Sequence, residues 1–328
     1  MVKELRWRSE RVQPEVRVVG GGDADVDETA YDGLIFAIGY EGRSIHVASS
    51  LSARYETAMG IRFGVQEEHS FAANLAWAEK QAAVQVKSAA NALEASQHVL
   101  SYLEALWSIE KDHLHIAVDV SSFPRTSLVA IYSAIWASAR ASRPISVSFL
   151  YSFAQFTEPP IDHGPITEFG AVSPEFSGIG EADFGLATLI GLGYESELAL
   201  AAQQVMDPAL TWLAVPQSLD VRFDDAVRKA NDLLINIVDE RNVWSFPVDD
   251  PYSTFVELEM ISHGLQRTHN VVLVPLGPKL LVVACLLVSS IHRNVGVWRV
   301  SPGGLREPRE QLAAGPVAYI SAIFSGTH

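Results

Sequence analysis

The chain has 328 residues, of which 48% are apolar and 19% are charged. This composition excludes a disordered chain, and the length favours two domains. The formal charge of −15 argues against non-specific binding to duplex nucleic acid, because each phosphate contact would have to overcome an acidic background.

The first half of the chain predicts a polar arm followed by an α/β domain. Residues 1–30 are polar and contain Gly20-Gly21-Gly22, so we expect an N-terminal arm there. Residues 31–154 are expected to form a Rossmann-like domain. Apolar runs predict strands at 34–38, 115–120 and 145–151. Helices are predicted at 44–55, at 126–139 and in an alanine-rich stretch from about 71 to 110, which could form either one helix or two.

The second half predicts a similar unit. Residues 155–184 are rich in proline and glycine and are expected to be a linker, which leaves 185–328 as a second Rossmann-like domain. Strands are predicted at 187–192, 212–215, 243–247, 271–274 and 296–300. Helices are predicted from Ser196 and at 224–238, 254–266 and 280–291. Apolar strands that alternate with helices predict an α/β fold with two mainly parallel sheets.

Two short motifs recur at one spacing. Gly39-Tyr40-Glu41 recurs as Gly193-Tyr194-Glu195, 154 residues later. Pro124-Arg125 has a counterpart in Pro278-Lys279 at the same offset. Two separated matches at one offset predict that the two halves arose by internal duplication.

Both motifs follow predicted strands, at the edge where open parallel sheets bind ligands. Backbone N–H groups at a helix start, together with hydroxyls and a cation, can hold an anion. The alternative is structural, since proline commonly starts helices and Arg125 or Lys279 could pair with Asp119, Glu41 or Glu195. The predicted ligand-binding residues are Gly39, Arg43, Ser121, Ser122, Arg125, Gly193, Gly277 and Lys279.

Signals for catalysis are sparse. Asp119 is a candidate catalytic residue because it ends a predicted buried strand. Glu41 is a second candidate, because it and its duplicate Glu195 could act as acid and base, although capping or ion pairing would use them equally well. No P-loop, dinucleotide-binding GxGxxG or nucleophile-elbow GxSxG pattern occurs. His113 and His115 lack a third ligand nearby in sequence, so we expect no metal site and no cofactor. Trp298 falls in a strand-like run and is predicted to be a core residue.

The long apolar segment 270–291 is interrupted by Pro275, Gly277, Pro278 and Lys279, which favours a strand, a turn and a helix over a membrane span. The single cysteine, Cys285, excludes an intramolecular disulfide and fits a reducing compartment. The first residues carry no apolar signal segment. We therefore expect a cytoplasmic location and no membrane partner.

The second half resembles the CARF (CRISPR-associated Rossmann-like) ligand-sensor family through Gly193-Tyr194-Glu195 and the run VVLVPLGPK at 271–279. The first half is similar through Gly39-Tyr40-Glu41 and DVSSFPR at 119–125, although the family's glycine-rich loop with Ser/Thr and Lys is here split between SSFPR and PLGPK. The resemblance implies binding of a cyclic oligonucleotide or related nucleotide in prokaryotic antiviral defence. Family members dimerise around a shared ligand, so a duplicated chain could build such a site from its own halves.

Three hypotheses follow. The first is a nucleotide-binding or nucleotide-sensing module whose effector is a separate protein chain, since no nuclease, protease or membrane effector is recognisable. The second is an enzyme that acts on a nucleotide or nucleoside. The third is a non-catalytic scaffold subunit of a defence complex. Stabilisation by a ligand separates the first two from the third, and turnover separates the second from the first.

Overall fold

The computed structural model of the protein describes residues 15–23, 29–63, 67–108, 111–139, 143–158, 166–302 and 307–326. Within these ranges the chain forms thirteen strands and nine α-helices. The strands are β1 Glu15–Asp23, β2 Tyr31–Ile38, β3 Tyr55–Phe63, β4 Val84–Ala89, β5 Leu114–Asp119, β6 Ile145–Ala154, β7 Ile166–Ala171, β8 Gly185–Gly191, β9 Leu210–Gln217, β10 Val243–Pro247, β11 His269–Pro275, β12 Val295–Pro302 and β13 Ala313–Ser325. The helices are α1 His46–Ser50, α2 Phe71–Lys80, α3 Ala92–Trp107, α4 Arg125–Ser138, α5 Ser196–Met206, α6 Val221–Ala230, α7 Asp232–Ile237, α8 Pro251–Leu265 and α9 Lys279–Ile291.

The strands form two mixed, mainly parallel sheets. The first has the order β1-β13-β6-β5-β2-β3-β4 and the second β10-β9-β8-β11-β12-β7. Read from β13, the first sheet has the order β13-β6-β5-β2-β3-β4, which corresponds to β7-β12-β11-β8-β9-β10 in the second. β13 pairs antiparallel with β6, as β7 does with β12, and β1 extends the first sheet beyond β13. The α/β class with two Rossmann-like units is therefore confirmed, and the shared strand order supports the predicted duplication.

Strand pairing departs from the predicted division of the chain in three places. Residues 15–23, within the predicted arm, form β1 and pair with β13. Residues 166–171, within the predicted linker, form β7 and pair with β12. Residues 313–325, assigned to the second half, form β13 and complete the first sheet. Each pairing joins segments that are distant in sequence, so no local pattern marks it.

The alanine-rich stretch is not continuously helical. Strand β4 separates α2 from α3, and β3 begins where the helix predicted at 44–55 was expected to end. β4 lies at the edge of the first sheet and most of its residues are at least partly exposed, so its sequence VQVKSA lacks a buried strand's apolar run.

The two halves share one core, which lies between α4 and α9. Every residue from Leu280 to Ser290 on α9 is buried, so this helix is surrounded by protein on all sides. The Tyr132 hydroxyl on α4 lies 2.8 Å from Ser290 Oγ, and its ring stacks on Phe149 with centroids 5.8 Å apart. The same buried cluster contains core residues of both sheets.

Segment 270–291 forms β11, a turn and α9, as predicted. Among the residues that the structure describes, no helix combines the length and the apolar character needed to cross a membrane.

Tyr132 provides a test of the shared core. Tyr132→Phe should lower the free energy of unfolding by about 1 kcal/mol through loss of the Ser290 contact. Tyr132→Ala should lower it by about 4 kcal/mol, because the empty ring site lies between both halves. Urea titrations followed by circular dichroism would measure both changes. Equal stability of Tyr132→Ala and wild type would contradict a shared core.

Candidate functional site

A cavity of about 500 Å³ lies between the two halves. Its walls come from residues that follow the carboxyl ends of four strands, two from each sheet. Tyr40 and Glu41 follow β2, Ser122 follows β5, Glu195 follows β8 and Lys279 follows β11. The motifs that recur in the sequence therefore meet at one composite cavity.

The loop before α4 and the loop before α9 form hydrogen bonds to each other across this cavity. Arg125 Nη2 donates to the carbonyl oxygens of Leu276 and Gly277 at 2.7 and 2.8 Å. Lys279 Nζ donates to the carbonyl oxygen of Ser121. Each cation thus binds the loop of the opposite half. The equivalent residues Arg125 and Lys279 therefore make reciprocal contacts.

Arg43 is buried beneath the cavity, with only 6% of its surface exposed. Its Nε donates to Glu41 Oε2 at 2.7 Å, and its other nitrogens donate to the carbonyl oxygens of Ser152 and Ser121 at 3.0 and 3.3 Å. Ser122 Oγ also donates to Glu41 Oε2, at 3.1 Å. Arg43 therefore ties three segments of the first half together.

Glu41 is held as an anion. Burial alone would raise the pKa of its carboxyl, but the positive charges of Arg43 and Lys279 outweigh burial and lower it. Ionised Glu41 is a hydrogen-bond acceptor for Arg43 and Ser122 and a poor proton donor. Glu41 and Arg43 therefore form a structural ion pair beside the cavity.

Asp119 lies at the end of β5 and is 1% exposed. Its Oδ1 accepts hydrogen bonds from the backbone N–H and the hydroxyl of Ser121, and the same Ser121 Oγ accepts from the Ser152 N–H at 2.8 Å. Oδ2 has no hydrogen-bond partner among the described residues. Burial raises the pKa of Asp119 to about 6, although the Ser121 hydrogen bonds and two cations oppose that rise.

Lys279 is the most perturbed cation at the cavity. Desolvation by the surrounding protein lowers the pKa of its ammonium group to about 7. Glu41 opposes that change, whereas the positive charges of Arg43 and Arg125 add to it. Three cations therefore lie close together in a poorly solvated region, where Glu41 and Asp119 favour the charged form of Lys279.

The glycines at the predicted binding loops have different roles. A Cβ on Gly277 would lie 2.6 Å from the Leu192 carbonyl oxygen, and a Cβ on Gly193 would lie 2.8 Å from that of Leu276. These two glycines let the loops after β8 and β11 pack on each other. A Cβ on Gly39 would meet its nearest neighbours at 3.9 Å, an ordinary contact.

An asparagine holds each Gly-Tyr-Glu loop. Asn74 Nδ2 donates to the carbonyl oxygens of Gly39 and Glu41, both at 2.9 Å. Asn231 Nδ2 donates to the carbonyl oxygen of Gly193 at 2.8 Å. Asn74 follows β3 and Asn231 follows β9, which are equivalent strands of the two sheets.

The predicted site residues fall into two groups. Glu41, Ser122, Arg125 and Lys279 line the cavity. The others form its frame and are absent from its lining, namely Gly39, Arg43, Asp119, Ser121, Gly193 and Gly277.

Several cavity residues were not predicted from the sequence, among them Tyr40, Trp298 and Arg299. Tyr40 belongs to the repeated motif and could have been selected on that ground. Trp298 and Arg299 lie on β12, where strand alternation alone does not reveal that they reach a cavity. Trp298 was predicted to be core; it packs partly against the core and also lines the cavity.

Comparison of the sequence with protein-family models and with curated proteins finds no match.

Asp119 predicts a pH-dependent difference in stability. Because its pKa rises from about 4 unfolded to about 6 folded, the native state holds the proton more tightly. The contribution of Asp119 to stability is then fullest below pH 4 and is lost as pH rises through 6. Asp119→Asn carries no such penalty, so it should gain about 2 kcal/mol over wild type between pH 4 and pH 8.

Urea unfolding of both proteins across that range would measure the gain. Glu79→Gln, which replaces an exposed acid on α2, is the matched control for removing one carboxylate. A constant difference between Asp119→Asn and wild type would contradict the assigned environment of Asp119.

The glycines provide a second test. Gly277→Ala should lower the free energy of unfolding by about 2 kcal/mol, because its Cβ would overlap the Leu192 carbonyl oxygen. Gly39→Ala should change stability much less. Thermal unfolding of both variants measures the contrast, and equal effects would show that the loop packing at Gly277 is not required.

Proposed function

We propose that the protein binds a small anionic ligand of the nucleotide class in the cavity between its two halves. The observation that carries this proposal is the group of cations at the composite cavity. Arg125 and Lys279 line the cavity together with Glu41 and Glu195, Arg43 lies behind Glu41, and the pKa of Lys279 is lowered to about 7. A bound anion would relieve their mutual repulsion and favour the charged form of Lys279.

The lining also supports a ligand with an aromatic base. Tyr40 and Trp298 border the cavity and can offer their rings for stacking, while Arg125, Lys279 and Arg299 can approach phosphates. A volume of about 500 Å³ is typical of pockets that bury a small organic ligand. This size favours a mononucleotide or dinucleotide over a large cyclic oligonucleotide.

The wider role follows from the resemblance to CARF sensors. Ligand binding between two halves would report the presence of the nucleotide to a separate effector chain in antiviral defence. The reciprocal contacts of Arg125 and Lys279 provide a route, because a ligand that displaces either contact changes how the halves are held.

Catalysis has less support than binding. Asp119 is buried beneath Ser121 and does not line the cavity, and Glu41 is an ionised partner of Arg43. Ionised Glu41 has no proton to donate to a ligand, and Asp119 does not reach the cavity. Chromatography of the ligand after incubation would show any turnover.

Isothermal titration of the full chain with mononucleotides, dinucleotides and cyclic oligonucleotides tests the proposal. Lys279→Met should weaken binding by about 10- to 100-fold, the value of a hydrogen bond to a charged group. At pH 8 wild-type Lys279 is mostly neutral, so binding should take up a proton. Titrations in buffers of different ionisation enthalpy would detect it.

The matched control is Lys229→Met, an exposed lysine on α6, which should bind like wild type. Proton uptake should persist in this control and disappear in Lys279→Met. Absence of binding by any nucleotide would overturn the proposal and favour the scaffold hypothesis. Binding that is unchanged in Lys279→Met would place the ligand elsewhere.

A further inference from the structure

A second group of polar side chains lies at the end of α9 remote from the cavity. Glu259 and His263 are four residues apart on α8, so they share one face of that helix. His292 follows the last residue of α9. One possible ligand atom from each residue lies within 4.8 Å of the others. At 1.5 Å per residue, the length of α9 separates this cluster from Lys279 by about 20 Å.

The cluster has the composition of a zinc site. Two imidazoles and one carboxylate are a common set of protein ligands for Zn²⁺, with a fourth position left for water. Metal–ligand distances near 2 Å place tetrahedral ligand atoms about 3.3 Å apart. His292 Nε2 and Glu259 Oε1 are already 2.6 Å apart, and the exposed His263 side chain is free of tight packing that would block the approach.

Gln266 supplies an outer partner for both imidazoles. Its Nε2 lies 3.2 Å from His263 Nδ1 and 3.0 Å from His292 Nδ1, so in this orientation the amide donates to both rings. Rotation of the amide by 180° would bring its oxygen to the same place, where it would accept from both Nδ1–H groups and leave both Nε2 lone pairs for a metal.

The backbone also favours a cation here. The C-terminal ends of α8 and α9 converge at the cluster, and each carries a partial negative charge from its unpaired carbonyl groups. Arg267 and Arg293 follow the cluster residues in the chain, but both are exposed and solvent screens their repulsion.

We propose that Glu259, His263 and His292 bind one Zn²⁺ that joins the C-terminal ends of α8 and α9. Water completes the coordination at the exposed side of His263. From the sequence we expected no metal site, because only His113 and His115, which are neighbours in the chain, were considered as ligands. This cluster instead forms when the fold brings His292 next to α8.

Zinc binding by the purified full chain tests the proposal. Titration with ZnCl₂ should give one ion per chain, and Co²⁺ in its place should show the visible absorption of a tetrahedral site. His263→Ala and Glu259→Gln should each weaken binding more than 100-fold, whereas Gln266→Ala should weaken it about 10-fold. Zinc should raise the melting temperature of wild type and not that of His263→Ala.

The control is His98→Ala, which removes a histidine on α3 outside the cluster and should bind zinc like wild type. Circular dichroism establishes that each variant is folded. Unchanged zinc stoichiometry in both His263→Ala and Glu259→Gln would overturn the proposal. So would failure of wild type to bind zinc at micromolar concentration.

Discussion

The reciprocal exchange of cations between the two halves is the interaction on which the candidate site depends. Arg125 binds carbonyl groups of the loop before α9, and Lys279 binds a carbonyl group of the loop before α4. Both cations begin helices that pack in the shared core. The cavity therefore exists only because the two units are held face to face.

The contact between the two units places several charged side chains in a poorly hydrated region. Arg43 is paired with Glu41, and burial raises the pKa of Asp119 to about 6. Desolvation, together with the nearby charges of Arg43 and Arg125, lowers the pKa of Lys279 to about 7. The anion whose binding we propose would favour the charged form of Lys279.

The sequence predicts the strands that carry a strong local pattern and misses several others. Strands with continuous apolar runs, such as β2, β5 and β11, were predicted near their observed positions, because burial on both faces leaves a strong local pattern. Strands β1, β7 and β13 were not predicted, since they pair with distant segments, and the edge strand β4 lacks an apolar run. The cavity loops were found through their repetition. Trp298 and Arg299 were missed because neither belongs to the repeated motifs.

The return of β13 to the first sheet has a consequence for biosynthesis. Residues 313–325 supply the neighbour of β6, so that strand presents open hydrogen-bonding groups until the ribosome has made nearly the whole second unit. The first sheet is thus the first to be synthesised and the last to be completed. Until β13 has been made, the exposed edge of β6 must be protected from pairing with other nascent chains. Because β13 belongs to the first sheet, cutting the chain between β6 and β7 would separate β13 from that sheet and would not yield two fragments that fold independently.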